Sequence, residues 1–489
     1  MVTTAFSIVS GVFSLTLLVL AGEDKVVQVP TEPVGIWEGT LNVGDSKLRL
    51  VFQLRRNGDK WSATMDSPDQ GAVDIPLSPP IWKDNLLTLE LPAAKLCFSG
   101  RLSADGRELQ GTFKQEGLEV PMTLRRVAAK TAPRRPQEPK PPFPYQAVNV
   151  TYDNPKAARV KMAGTLTLPK GVGPFPAVLL ISGSGQQNRD EELFGHKPFL
   201  VLADHLTRYG FAVLRYDDRG VGQSSGPVAE ATTADFASDA EAGFDWLRQR
   251  PEIDARKVGL IGHSEGGLIA AMIAARRSEV AYVILLAGPG MSGAEILRHQ
   301  VERLARAEKL PEADIRLRSE MQAILTKLAV ELEAAEFPKQ AAAALRERLQ
   351  QASPAELKRL VPTTTATEIT VEEVVRQIEP PTQSLTSTWM RFFLRYDPRA
   401  DLQRIQCPVL ALGGELDLQV AAKENLSQIE RALKQSGNGD VTTVVVPQVN
   451  HLFQTAQTGS PAEYARIEET ISPQVLTMMT NWLRERIRK

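Results

Sequence analysis

The run Val258-Gly259-Leu260-Ile261 leads into Gly262-His263-Ser264-Glu265-Gly266-Gly267, and Leu268 to Ala275 continues as an apolar helix. The pattern predicts Ser264 on a sharp turn between a strand and a helix, where glycines two residues to either side avoid a clash with neighbouring backbone. A serine presented in this way does nucleophilic chemistry, provided that a base takes its proton and a carboxylate orients that base. These partners are expected later in the chain, acid first and histidine second. Of the five histidines, His263 sits in the turn and points elsewhere, while His196, His205 and His299 do not follow a late strand. His451 does, in the loop beyond the apolar strand Thr442 to Val446, and is read as the base. Two carboxylates, Glu415 and Asp417, lie just beyond the strand Val409 to Leu412. Asp417 is preferred because it stands farther along the loop, just before a helix predicted to start near Val420.

Acyl transfer also needs N–H donors where charge develops on the carbonyl oxygen. The backbone N–H of Glu265 follows the nucleophile directly, and the loop Ser182-Gly183-Ser184-Gly185-Gln186 supplies a second donor, with Gln186 and Ser184 as the candidates. Gly183-Ser184-Gly185 is not a dinucleotide fingerprint, since Asn188 stands where the third glycine belongs. Two cysteines, Cys97 and Cys407, are too few for a thiolate metal site or a disulfide framework. No cofactor and no metal are expected.

Positioning these residues requires a scaffold. Short apolar strands (Gly164 to Leu168, Ala177 to Ser182, Ala212 to Tyr216, Val258 to His263, Tyr282 to Ala287, Val409 to Leu412, Thr442 to Val446) alternate with amphipathic helices. This rhythm marks an α/β fold with a mainly parallel sheet covered on both faces, over residues 146–290 and 405–489. Between them, residues 291–404 are rich in Ala, Leu, Glu and Arg at helical spacing, with capping boxes at Ser353 to Glu356 and Thr370 to Glu373. They are read as a helical cap inserted between two strands.

Residues 30–127 have strand alternation and turn signals that predict a small all-β barrel or sandwich, with Trp37, Trp61 and Trp82 read as core in preference to a ligand pocket. The prolines of residues 128–145 predict an extended linker crossed by few contacts, in which Arg134-Arg135 is solvated.

At 489 residues the chain has room for two or three domains, and 57 basic against 58 acidic residues give nothing that would draw it to nucleic acid or an anionic membrane. Residues 1–21 read as a signal peptide ending at Val19-Leu20-Ala21. Cleavage would leave a secreted or periplasmic protein with no membrane partner. An uncleaved anchor is the alternative, since about 17 apolar residues just reach spanning length.

From about Val150 to Lys489 the chain resembles the α/β-hydrolase superfamily, and its run of motifs is similar to the bacterial EstD-like carboxylesterases. The matching stretches are Ile181 to Gly185 with Asn188-Arg189-Asp190, then Arg215 to Ser224, Gly262 to Gly267, and Leu412 to Val420. The resemblance implies an eight-stranded sheet, a helical cap over the site, a Ser264, Asp417 and His451 triad, and hydrolysis of short-chain esters. A small-molecule ester is thus the expected partner. Prolyl-oligopeptidase-like peptidases share the turn and the order of the triad, which keeps a peptidase or acyl-amide hydrolase open. A third reading is a binding protein acting mainly through its β domain.

Overall fold

The computed structural model describes residues 32–43, 46–68, 72–115, 118–128, 134–361 and 369–487; the expected signal peptide, residues 1–21, lies outside the described residues. The first part of the chain forms one antiparallel sheet. Its strands are β1 (Gly35–Val43), β2 (Ser46–Asn57), β3 (Lys60–Ser67), β4 (Ala72–Pro76), β5 (Ile81–Lys83), β6 (Leu86–Leu91), β7 (Leu96–Leu102), β8 (Glu108–Gln115) and β9 (Leu118–Val127). They lie in the order β4-β3-β2-β1-β9-β8-β7-β6-β5, a half-barrel in which the first strand pairs with the last. Its alternating inward residues make one core around Trp37, Phe52, Phe98 and Phe113. Trp37 is fully buried, donates from its indole to Pro33 O at 2.7 Å and stacks under the Arg126 guanidinium. Trp61 and Trp82 are half-buried against the same core, as side chains that pack rather than open a pocket.

The second sheet contains β10 (Gln146–Asp153), β11 (Lys161–Leu168), β12 (Phe175–Ile181), β13 (Ala212–Tyr216), β14 (Ile253–His263), β15 (Val283–Leu286), β16 (Val409–Gly414) and β17 (Val441–Val446). Their order is β10-β11-β13-β12-β14-β15-β16-β17, and the pairings are parallel from β13 onward. Both faces are covered. Ala177 and Leu179 enter the core on one side while Val178 and Leu180 enter the core on the other, which is why β12 is an unbroken apolar run. Strand β10 pairs antiparallel at the edge and turns only Val148, Val150 and Tyr152 inward, a short alternation in place of the unbroken apolar run of the interior strands, and it was not among the expected strands.

Helices α1 (Pro198–Arg208), α2 (Thr233–Arg248) and α3 (Glu265–Ala274) separate the early strands. The insertion after β15 contains α4 (Gly293–Ala307), α5 (Glu312–Glu331), α6 (Phe337–Leu349), α7 (Pro354–Leu360), α8 (Val371–Thr382), α9 (Thr388–Arg395) and α10 (Arg399–Leu402). Leu317, Phe337, Leu345 and Val374 give it a core of its own. At α7 the capping box forms in full, Ser353 N–H donating to Glu356 at 2.8 Å and Glu356 N–H to Ser353 Oγ at 3.3 Å. Helices α11 (Ala422–Gln435), α12 (Pro461–Tyr464) and α13 (Pro473–Ile487) complete the chain.

The segment between the two sheets corrects one expectation. Arg134 is exposed, but Arg135 is not solvated: its guanidinium donates to the carbonyls of Phe194 at 3.2 Å, Gly195 at 2.9 Å, Ala465 at 2.9 Å and Ile467 at 2.8 Å. Gln137 adds three bonds, accepting from the N–H groups of Thr470 and Ile471 and donating to Ile471 O. The planar fork of an arginine offers five donors, enough to satisfy carbonyls on two loops at once. The linker is therefore bonded to the catalytic part at the loops 194–195 and 465–471, in place of the solvated run that was expected.

Candidate active site

Ser264 stands between β14 and α3 with φ 53° and ψ −119°, a conformation that costs a non-glycine residue about 1–3 kcal/mol. Backbone bonds hold it there, from Ser264 N–H to Leu286 O at 2.8 Å and from Gly267 N–H to Ser264 O at 2.9 Å. The flanking glycines have a steric cause. A Cβ on Gly262 would lie 2.0 Å from Gly266 O, and one on Gly266 would lie 2.1 Å from Ile181 O. The N–H of Glu265, first residue of α3, opens the helix at its electropositive end.

Asp417 and His451 come from the loops after β16 and β17 and meet: His451 Nδ1 lies 2.8 Å from Asp417 Oδ2. Asp417 is fully buried, and its other oxygen accepts the N–H groups of Gln419 and Val420, both at 2.8 Å. All three bonds are available to the carboxylate form only as acceptor bonds, so His451 carries its proton on Nδ1 and keeps Nε2 free to accept one. Glu415 is exposed and accepts from Gln448 N–H at 3.1 Å, while the bond to His451 is made by Asp417. His196, by contrast, is a buried structural residue between Thr470 and the Tyr464 carbonyl, its pKa pushed down to about 4 chiefly by burial.

The loop after β12 is fixed at several points. Asp218 accepts Ser182 Oγ at 2.8 Å and Gln187 N–H at 2.9 Å, while Glu191 accepts Gly183 N–H at 2.8 Å. Those bonds leave the N–H groups of Ser184, Gly185 and Gln186 as the donors of this loop, with Gly185 at φ 102° turning the backbone. Arg189 grips Asp217 through Nε at 3.0 Å and Nη2 at 2.6 Å, anchoring the far end. Burial would raise the Asp217 carboxyl, yet these bonds from Arg189 and Gln223 N–H hold it low. Asp218 goes the other way, up to about 7, because burial and the nearby Glu191 and Glu265 charges outweigh its two donors.

Glu265 joins the turn to the helical insertion. Its carboxyl accepts Thr233 Oγ1 at 2.6 Å and Trp389 Nε1 at 2.8 Å, and burial raises its pKa against those bonds. Trp389 stacks on Phe393, which packs with Leu268, Met291 and Ile296. Helix α9 is thereby pinned beside Ser264. Sequence reasoning missed Glu191, Asp218 and the side chain of Glu265. All are acidic residues next to motif positions, and only their burial, between 1% and 3% exposed for Glu191 and Glu265, reveals that they are built into the site. Among the described residues, no group of three or more His, Cys, Asp or Glu is placed to hold a metal ion.

A sheet covered on both faces, with a serine on a strained turn after β14 and a buried Asp and His pair after β16 and β17, defines an α/β-hydrolase. The chain belongs to the X-Pro dipeptidyl-peptidase (S15) family, whose profile matches residues 158–453. It is similar to esterase EstD of Thermotoga maritima, 25% identical over 327 residues that make up 66% of this chain and 65% of that protein. The chain thus spans just under two thirds of that relative's length. Among solved structures, the α/β-hydrolase GrgF of Penicillium is 16% identical, with a TM-score of 0.43 over 70% of this chain and 100% of that one. An esterase of Pyrococcus furiosus is 15% identical, with a TM-score of 0.41 over 73% of this chain and 98% of that one.

Proposed function

We propose that the chain is a serine hydrolase that cleaves short-chain carboxylic esters through an acyl-enzyme on Ser264. The observation that carries this reading is the 2.8 Å bond between His451 Nδ1 and the fully buried Asp417, which fixes the tautomer a general base needs. In the first half-reaction Ser264 Oγ attacks the ester carbonyl as its proton passes to His451 Nε2. The N–H of Glu265, with that of Ser184 or Gln186, stabilises the oxyanion. The C–O bond to the alcohol breaks, and the alcohol leaves with the proton from Nε2. Water then repeats the sequence on the acyl-enzyme and releases the acid. Residues 291–404 act as a cap that selects the acyl group, a role supported by the Trp389 to Glu265 bond. Residues 1–21 act as a signal peptide for a secreted or periplasmic enzyme, supported by their composition.

The family match favours a second reading, cleavage of peptide or acyl-amide bonds by the same residues. A peptidase that reads a free amino terminus needs a carboxylate to receive the ammonium. In the cap, Glu331, Glu333 and Glu336 are exposed, and the buried Glu265 is already engaged by Thr233 and Trp389. A panel of nitrophenyl esters and aminoacyl nitroanilides decides between the two, with Ser264→Ala as the control. Faster turnover of nitroanilides would replace the esterase reading, and an active Ser264→Ala would end both.

A further inference from the structure

We infer that Glu191 and His263 are positioning residues, a buried carboxylate and imidazole pair that fixes the His451 loop and the start of the oxyanion loop against the turn carrying Ser264. The inference rests on the serine-hydrolase reading above and concerns residues that this reading leaves without a role.

Glu191 is 1% exposed and His263 5%. One oxygen of Glu191 accepts both Gly183 N–H at 2.8 Å and His263 Nδ1 at 2.9 Å. On the other side of the ring, His263 Nε2 lies 3.0 Å from the carbonyl oxygen of His451. A carbonyl oxygen only accepts, so Nε2 carries a proton; an ionised carboxylate only accepts, so Nδ1 carries the other. The ring is then an imidazolium, unable to serve as a base, and its two donors bridge segments 72 and 188 residues away in sequence.

The groups that face the ring agree with this state. Glu191 approaches from the loop after β12 and Asp417 lies within electrostatic reach in the loop after β16, while the His451 and Phe453 rings pack at 5.0 and 6.3 Å. Burial opposes the charge on His263, but the Glu191 charge and hydrogen bond, the His451 carbonyl and Asp417 together raise its pKa. The backbone of the base is thus held from one side by His263 while its ring is held from the other by Asp417. Removing the bridge leaves a buried carbonyl without its donor and frees the loop to shift, and a displacement of an ångström in a catalytic group costs about 10²-fold.

The test uses the full chain and a fluorophosphonate probe, which reports activation of Ser264 whatever the natural substrate is. His263→Phe keeps the ring volume without donors; it should melt lower than wild type, since Glu191 and the His451 carbonyl lose their donor, and at a temperature where it is folded should label about tenfold to a hundredfold more slowly. His263→Gln restores an amide donor toward the His451 carbonyl and should recover most of that loss. Nitrogen NMR of the ring supplies an arm independent of activity and of how His263→Phe folds. In wild type at pH 7 both nitrogens of His263 should be protonated, and in Glu191→Gln only one. Labelling of folded His263→Phe within about threefold of wild type, a His263→Gln no faster than His263→Phe, or a single protonated nitrogen in wild type would each overturn the inference. Failure of wild type to label at all would instead sink the serine-hydrolase reading, leaving the NMR arm to decide the state of the ring.

Discussion

Replacing Asp417 by Asn tests the proposed mechanism at its orienting group. One oxygen of Asp417 accepts two backbone N–H groups at 2.8 Å, and the other accepts His451 Nδ1 at 2.8 Å. In the variant the amide oxygen must stay on the Gln419 and Val420 side, because the reversed rotamer would set its NH2 against two donors. The NH2 then faces His451 Nδ1 and donates to it. That forces the ring proton onto Nε2, the nitrogen that has to receive the proton of Ser264. Turnover should fall by roughly 10⁴, as it does when a triad holds the wrong tautomer, or about 5 kcal/mol at 1.36 kcal/mol per factor of ten. Because every backbone bond survives, the melting temperature should move by no more than a few degrees. The assay is nitrophenyl acetate turnover on the variant, beside Glu415→Gln, whose exposed side chain makes one bond to Gln448 N–H and should matter by less than about twofold. A well-folded Asp417→Asn that keeps more than a tenth of wild-type turnover, or a greater loss in Glu415→Gln, would refute the assignment.

A chain beginning near Ala132 keeps Arg135 and Gln137 and should melt close to the full-length catalytic part, whereas one beginning at Tyr145 loses seven hydrogen bonds to the loops at 194–195 and 465–471 and should melt well below it; equal melting temperatures would show those bonds to be idle. Trp389→Phe removes the bond to Glu265 while keeping the stack on Phe393, and should cost about 1 kcal/mol in stability and change the ratio of acetate to hexanoate turnover. An unchanged ratio would leave α9 purely structural. Asp218 has a folded pKa of about 7, above its unfolded value near 4, so its contribution favours the folded chain fully at low pH and is lost as pH rises from about 4 to 7. Chemical denaturation across that range should give a flatter pH profile for Asp218→Asn than for wild type, and parallel profiles would contradict the assigned direction.

The residues easiest to read ahead of the structure were those tied to strands. Ser264, Asp417 and His451 each follow an apolar run, and with five histidines in the chain elimination had few candidates to remove. The interior strands were legible because burial on both faces makes them continuously apolar, while β10, at the edge with solvent on its side chains, had no such pattern. The contacts that sequence did not show are long-range polar ones. Nothing about Arg135 in a proline-rich run distinguishes a solvated guanidinium from one that meets four carbonyls, since its partners are supplied by loops far along the chain. Glu191 likewise sits in an acidic stretch, and only folding aims it at His263.

The span of the Arg135 bonds also sets an order of events during synthesis. Arg135 meets Ile467 across 332 residues, and at roughly 5–20 residues per second that partner is made some 15 s to a minute later. His451, the base of the proposed mechanism, is made 187 residues after Ser264, so for roughly 10–40 s of synthesis the serine turn stands without it. If Ser264 acts as proposed, a partly made chain carries a serine that cannot be activated, and hydrolytic competence is switched on only as the last strand and its following loop are laid down.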